Sequence, residues 1–282
     1  INYMNLEKHL VLNNYFIDKL GFADQKSLYD ALNSHQQKYN LNGISLYATL
    51  LLQKNNNTNI RKYDNNIKEY VDKLRKNRNQ PAFDLKYFQY LSILFTEMFL
   101  DEYFNNKSAF VEDLNKYLKD FNKINNTKID SFKDDDIKKL AYWIATGGGK
   151  TLIMHINYWQ YLKYNNKDIN NILLITPNEG MSIQHANELK LSGIPYILYN
   201  GNIDINSNRK KNSILIIDIN KLTSEKKGQG VSVDISYFED KNLVFIDEGH
   251  KGSSSENETG WKSLREEIAK NGFIFEYSAT FG

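Results

Sequence analysis

The sequence predicts an α/β fold, a parallel sheet preceded by a helical region, and two observations lead there. From Ala141 onward, short apolar runs alternate with segments of helical period, the pattern of a parallel sheet covered on both faces. The glycine-rich and acidic residues fall directly after those apolar runs, at the carboxyl ends of strands, where open α/β sheets bind ligands. Upstream of Ala141 the alternation is missing.

Residues 1–80 read as short helices with polar joints, with helical apolar spacing over Gln25 to Tyr39 and Asn59 to Arg75. Gln53 to Thr58 is a loop, and Lys76 to Pro81 is a clear break. A long aromatic-rich helix is expected over Asp84 to Tyr103 and another over Phe110 to Phe121. Asn122 to Asp136 is then a polar connector, whose triple Asp at 134–136 reads as a solvated turn rather than a metal cluster. Strands are expected at 141–145, 172–176, 195–199, 213–217, 242–247 and 273–277, and helices at 149–164, 180–192 and 260–271. The expected division is a helical region over 1–80 and an α/β lobe over 81–282, in which 83–125 form lead-in helices and 141–282 carry the motifs.

The chain has 282 residues, enough for one large domain or two small ones. Apolar residues make up 41% and charged residues 25%, as in an ordinary globular protein. With no cysteine, disulfide frameworks and cysteine metal sites are excluded, which fits a cytoplasmic location. The net charge of +2 is low for a domain that holds DNA mainly by charge, so any DNA contact is a localised face. No signal peptide is apparent, and the apolar run Tyr87 to Thr96 is too short to span a bilayer.

Thr146-Gly147-Gly148-Gly149-Lys150-Thr151 lies between a strand-like run and a helix-like run. Such a loop aims backbone N–H groups into one concavity at a helix N-terminus, where the macrodipole favours an anion. Lys150 adds a full charge for the β- and γ-phosphates, and the Thr151 hydroxyl is placed for Mg²⁺. The general phosphate-loop pattern has a further glycine, separated from the Gly-Lys pair by four residues, and here that position is Ile144.

Downstream, Asn242 to His250 is an apolar run ending in Asp247-Glu248-Gly249-His250. In a phosphate-loop ATPase the metal-side acid is expected on a strand next to the loop's strand, where Asp247 holds Mg²⁺. Glu248, one residue on, then orients the attacking water as a base. Phe273 to Thr280 is a further strand-like run, ending in Ser278-Ala279-Thr280.

In this order the three segments resemble motifs I, II and III of superfamily 2 helicases and translocases. The strings ATGGGKT, LLITPNEGMSIQH, FIDEGHKGSS and FEYSATFG resemble the helicase part of Type III restriction enzyme Res subunits, over roughly Asp84 to Gly282. Those relatives also commonly lack the first loop glycine. The resemblance implies a RecA-like P-loop NTPase lobe that uses ATP and Mg²⁺. His250, Ser278 and Thr280 would couple nucleotide state to DNA and to a second RecA-like lobe carrying motifs IV to VI and an arginine finger. That lobe is not in this chain, which opens on Ile1 and stops just after motif III, as a fragment of a longer protein would.

Further residues gain a reading from the same resemblance. Gln89, upstream of the loop, either reads the adenine edge through its amide or is an ordinary helix glutamine. Thr176, Pro177 and Asn178 resemble motif Ia, which touches DNA phosphates without reading sequence; the alternative is helix capping. Lys221 sits in a weaker candidate for motif Ib, and Lys226 to Gly230 is a surface loop that can brush DNA. His9, His35, His155 and His185 show no paired metal spacing and read as structural or exposed. No acid-acid-lysine nuclease constellation appears.

Three functions remain. The first is the DNA-translocating motor of a restriction endonuclease, acting on duplex DNA beside a methyltransferase or specificity subunit. The second is a helicase or translocase without a nuclease, in repair or defence. The third is a nucleotide switch or kinase with no nucleic-acid role, against which the joint presence of Asp247-Glu248-Gly249-His250 and Ser278-Ala279-Thr280 argues.

Overall fold

The structure, a computed structural model, describes residues 9–55, 59–199, 210–223, 232–248 and 265–279. Its contacts divide the chain into two compact units, Ile1–Ile137 with Ile156–Asn165, and Lys138–His155 with Asn166–Gly282. The sequence expectation places the division at 80/81 instead. The helices expected to lead into the lobe therefore group with the amino-terminal helices.

The first unit contains α1 (Val11–Lys19), α2 (Gln25–Leu32), α3 (Leu46–Lys54), α4 (Asn59–Asn77), α5 (Tyr87–Asn105) and α6 (Lys107–Asn125). Local chemistry sets their starts. Asp24 accepts from the Ser27 backbone N–H at 2.7 Å while Ser27 Oγ accepts from the Asp24 N–H at 3.3 Å, a reciprocal cap for α2. Ser45 caps α3 by accepting from the Ala48 N–H at 3.1 Å. α4 buries Ile60, Tyr63, Asp64, Ile67, Tyr70, Val71 and Leu74, a stripe at three- and four-residue spacing that faces the core.

The helix expected over 25–39 stops at Leu32. Beyond it the chain stays out of the helix, and Asn40 builds a turn of its own. Its side-chain oxygen accepts from the Asn42 and Ile44 N–H groups at 2.9 and 3.0 Å, and Gly43 takes a positive φ of 74°. A short polar side chain here offers the backbone a turn in place of a helix. The expected connector is shorter than 122–136, because α6 runs on to Asn125. In it, Asp136 accepts from the Lys133 N–H at 2.7 Å and Asp134 lies 3.4 Å from Lys107. No group of acids and histidines suited to a metal occurs among the described residues.

The second unit is built on a parallel sheet. Its strands are β1 (Lys139–Trp143), β2 (Ile172–Thr176), β3 (Tyr196–Leu198), β4 (Ile214–Asp218), β7 (Leu243–Asp247) and β8 (Phe273–Ser278), with β5 (Leu222–Thr223) and β6 (Val233–Asp234) forming a separate small pair. The order across the main sheet is β1-β8-β7-β2-β4-β3. β2, β4 and β7 are buried at every residue, which explains their unbroken apolar runs. Leu173, Ile175, Leu215, Ile217, Val244 and Ile246 share one core cluster. On β8, Phe275 stacks on Phe245 and Tyr277 on Tyr142, with ring centroids 5.3 and 5.0 Å apart.

One topological expectation is corrected. The strand carrying Asp247 is not next to the loop's strand, because β8 lies between β1 and β7. Strand order follows from tertiary pairing and is not written in local periodicity. Helix α7 (Lys150–Tyr164) follows β1, and α8 (Glu179–Leu191) follows β2. Residues 265–268 are helical. The helix expected over 260–271 thus ends early, with 269–271 forming a turn, while 260–264 lie outside the described residues. Among the described residues no helix is long and apolar enough to cross a membrane.

Candidate nucleotide-binding site

The glycine loop runs from the end of β1 into α7. The Gly148 N–H donates to the Ala145 carbonyl at 2.8 Å, closing a tight turn. Gly147 and Gly149 have φ of 78° and 90°, a region open to glycine at no steric cost. Gly148 is required for a different reason. A Cβ there would sit 2.7 Å from Ile144 Cγ2 and 2.8 Å from the Ala145 oxygen. Ile144, the departure from the general pattern, is thus the buried wall against which the middle glycine packs.

Lys150 is the first residue of α7. Its Nζ lies 2.8 Å from Asp247 Oδ1 and also pairs with Glu248 Oε1. Successive residues of a strand point to opposite faces, so both carboxylates can meet one ammonium only if the backbone turns between them. It does: Glu248 has φ of 52°, and its N–H donates to the Tyr277 carbonyl at 2.8 Å. A non-glycine residue in this region costs ~1–3 kcal/mol and persists where the surroundings hold it. Ser278 Oγ donates to Glu248 Oε2 at 3.4 Å. The Ile144 N–H donates to the Ser278 carbonyl at 3.0 Å. The ends of β1, β7 and β8 thereby share one cluster.

Burial alone would push the Asp247 carboxyl up. A hydrogen bond and charge from His185, and then from Lys150, outweigh burial and hold it below the usual carboxylate range. The Lys150 ammonium is correspondingly pushed up: burial opposes this, but its two carboxylate partners dominate.

The residues present fit a nucleotide-bound Mg²⁺. Asp247 Oδ1 is buried and makes no well-directed hydrogen bond; its close neighbour is the Lys150 ammonium, which is the natural partner of phosphate oxygens. Asp247, with Thr151 in the first turn of α7, would hold the ion.

The other expected residues separate. Gln89 lies in the helical unit, and its side-chain oxygen accepts from the Lys86 N–H at 2.9 Å. Thr176 is 1% exposed; its hydroxyl pairs with Ser182 Oγ at 2.6 Å, so in this geometry it shapes the turn rather than reaching outward. Asn178 caps α8 by accepting from the Met181 N–H at 2.9 Å, next to Pro177. Lys221 lies 3.6 Å from Glu179 in the first turn of α8. His250, Thr280 and the loop Lys226 to Gly230 lie outside the described residues.

The sequence reading passed over His185. Its Nε2 lies 2.8 Å from Asp247 Oδ2, and nothing local signalled that, since the two residues are brought together only by the sheet. His155 pairs through Nδ1 with Ser192 Oγ at 2.8 Å, a contact within the fold.

Residues 99–282 match the family model for the Type III restriction enzyme res subunit. The chain belongs to that family. A search of curated proteins found no match. Membership makes the sheet unit part of a RecA-like lobe of the superfamily 2 helicase type. It implies a helicase-like ATPase motor, of a family that acts on nucleic acid and generally uses ATP and Mg²⁺.

Proposed function

We propose that this chain is the nucleotide-binding half of an ATP-driven DNA motor from the Res subunit of a restriction endonuclease. The observation that carries the reading is the meeting of Lys150, Asp247 and Glu248 beneath a glycine loop, with Ser278 bonded to Glu248. Backbone N–H groups of the glycine loop cradle the triphosphate, apart from that of Gly148, which the Ala145 carbonyl takes. Lys150 leaves its two carboxylates for the β- and γ-phosphates. Asp247 and Thr151 are thereby free to hold Mg²⁺, which when bound neutralises charge developing on the phosphoryl oxygens. Glu248 accepts a proton from the attacking water. Phosphoryl transfer rests on such positioning and charge stabilisation.

Coupling would run through Ser278, whose hydroxyl touches the proposed base, and through His250 and Thr280. Pro177, Asn178 and Lys221 would meet the backbone of duplex DNA, with Thr176 holding their turn. Gln89 would contact the adenine. A second RecA-like lobe would supply an arginine finger, typically worth ~10³–10⁵ in rate. A methyltransferase or specificity subunit would select the DNA, and the cytoplasm is the expected setting.

The test follows phosphate release and plasmid integrity together, in the protein that carries this chain, with ATP, Mg²⁺ and the methyltransferase. DNA-stimulated hydrolysis with ATP-dependent cutting supports the reading, and Glu248→Gln should then stop hydrolysis while sparing nucleotide binding. Stimulated hydrolysis with intact DNA points to a motor without a nuclease. Hydrolysis indifferent to nucleic acid overturns the motor.

A further inference from the structure

The buried stripe of α8 consists of Ser182, His185, Ala186 and Leu189. Three of these suit a helix packed on a sheet. His185 does not, because burying an imidazole is costly unless it is hydrogen-bonded. Its side chain is 3% exposed and meets Asp247, whose side chain is 0% exposed. Asp247 faces an ammonium on its other oxygen and so is an acceptor; His185 Nε2 is then the donor. The second ring nitrogen, Nδ1, has no hydrogen-bond partner among the described residues. The hydrogen bond that His185 makes through Nε2 goes to the acid of the site.

The two carboxylate oxygens of Asp247 are therefore used differently. Oδ2 is tied to α8 by His185, and Oδ1 is turned toward Lys150. Without the tie the carboxylate is free to rotate about its last torsion. We propose that His185 is a positioning residue, fixing the Asp247 carboxylate so that Oδ1 is presented to the Mg²⁺ of the bound nucleotide. This rests on the nucleotide site proposed above. Partners of this kind, one bond removed from the metal, typically change metal affinity by ~10–100-fold.

The experiment is a titration of a fluorescent ATP analogue against the chain, in EDTA and across a Mg²⁺ series, with thermal unfolding run alongside. His185→Leu fills the volume without a donor. Its Mg²⁺ requirement for tight nucleotide binding should rise ~10–100-fold, while its metal-free nucleotide affinity stays within about two-fold of the parent. His185→Gln, whose amide reaches about as far as Nε2, should restore the parent's Mg²⁺ dependence. If His185→Leu does not fold, His185→Asn makes the same test, because its amide falls short of Asp247. A parent-like Mg²⁺ series in the donor-less variant overturns the assignment. So does an equal loss of metal-free and Mg²⁺-bound affinity, or a folded His185→Gln that rescues nothing. A parent that binds no nucleotide in either condition fails differently, because it removes the nucleotide site itself.

Discussion

Each compact unit buries a carboxylate, and the two are treated in opposite ways. Asp247 sits between a lysine and a histidine and is held below the usual carboxylate range. Glu97, on α5, is met by neutral donors. Asn66 Nδ2 and the Tyr164 hydroxyl donate to Oε2 at 2.6 and 2.8 Å, and Gln160 Nε2 donates to Oε1 at 2.8 Å. Burial prevails over those three donors and raises the Glu97 carboxyl. An ammonium partner that phosphate can draw away poises a carboxylate for exchange with a ligand; amides and a phenol make it a fastener between α4, α5 and α7. The difference teaches which buried acid to assign to chemistry: the one whose partner is itself a phosphate-seeking group.

The sharpest way to break this comparison is Glu97→Leu. It removes the acceptor of Asn66, Gln160 and the half-buried Tyr164; Gln160 Nε2 keeps the Ile93 carbonyl at 2.9 Å, but a lost buried partner costs ~1–3 kcal/mol, so denaturant unfolding should show a loss of about 3–5 kcal/mol. A loss below ~1 kcal/mol would mean that the cluster fastens nothing. The pH response separates the two acids further. A carboxyl raised on folding lends stability fully below its unfolded value near 4.5, and that contribution fades as pH climbs through the folded value. Asp247, lowered on folding, lends stability above its ordinary value of 3.8 and loses it as pH falls through the folded one. Glu97→Gln should therefore remove the decline above pH 4.5 and leave the acid-side loss in place.

Lys150→Ala addresses the other acid. Truncating one partner of a buried charge pair costs about 2–5 kcal/mol. Mg-ATP affinity should fall by at least ~30-fold, read by calorimetry or fluorescence. Parent-like binding would remove Lys150 from the phosphate site. Next in size is Gly148→Ala, where the new methyl meets Ile144 and the Ala145 carbonyl. Overpacking of this kind costs ~1–3 kcal/mol. Ile144→Ala in the same chain should recover part of that, since it clears the side-chain contact but leaves the carbonyl in place. An undisturbed Gly148→Ala would show that the loop has room the geometry denies.

Much of the sheet unit was legible in the sequence because its chemistry and its periodicity coincide. Strands at 172–176, 214–218 and 243–247 are apolar at nearly every position, and the residues after them are the types that phosphate and metal require. What was not legible lives in tertiary pairing. β8 enters between β1 and β7, and no local pattern encodes that order. His185 looks like any lone helical histidine until the sheet brings Asp247 to it. The grouping of 81–137 with the amino-terminal helices follows from side chains such as Asn66 meeting Glu97 and Tyr90 meeting Asp64 across long sequence separations.

The smallest effect tests the backbone rather than the charges. Most non-glycine residues with positive φ in the described chain are asparagines in turns, namely Asn79, Asn126, Asn212 and Asn271, and asparagine tolerates that region. Glu248 is at φ 52° beside the glycine loop, where the turn lets both acids of β7's end meet Lys150. Glu248→Gln and Glu248→Gly both remove the charge, but only the second removes the side chain that makes the conformation costly. The glycine variant should therefore unfold at higher denaturant than the glutamine variant, by ~1 kcal/mol, although glycine also gains freedom in the unfolded chain. Neither should hydrolyse ATP. If the glutamine variant is the more stable, the left-handed turn stores nothing, and the alignment of Asp247 with Glu248 needs another explanation.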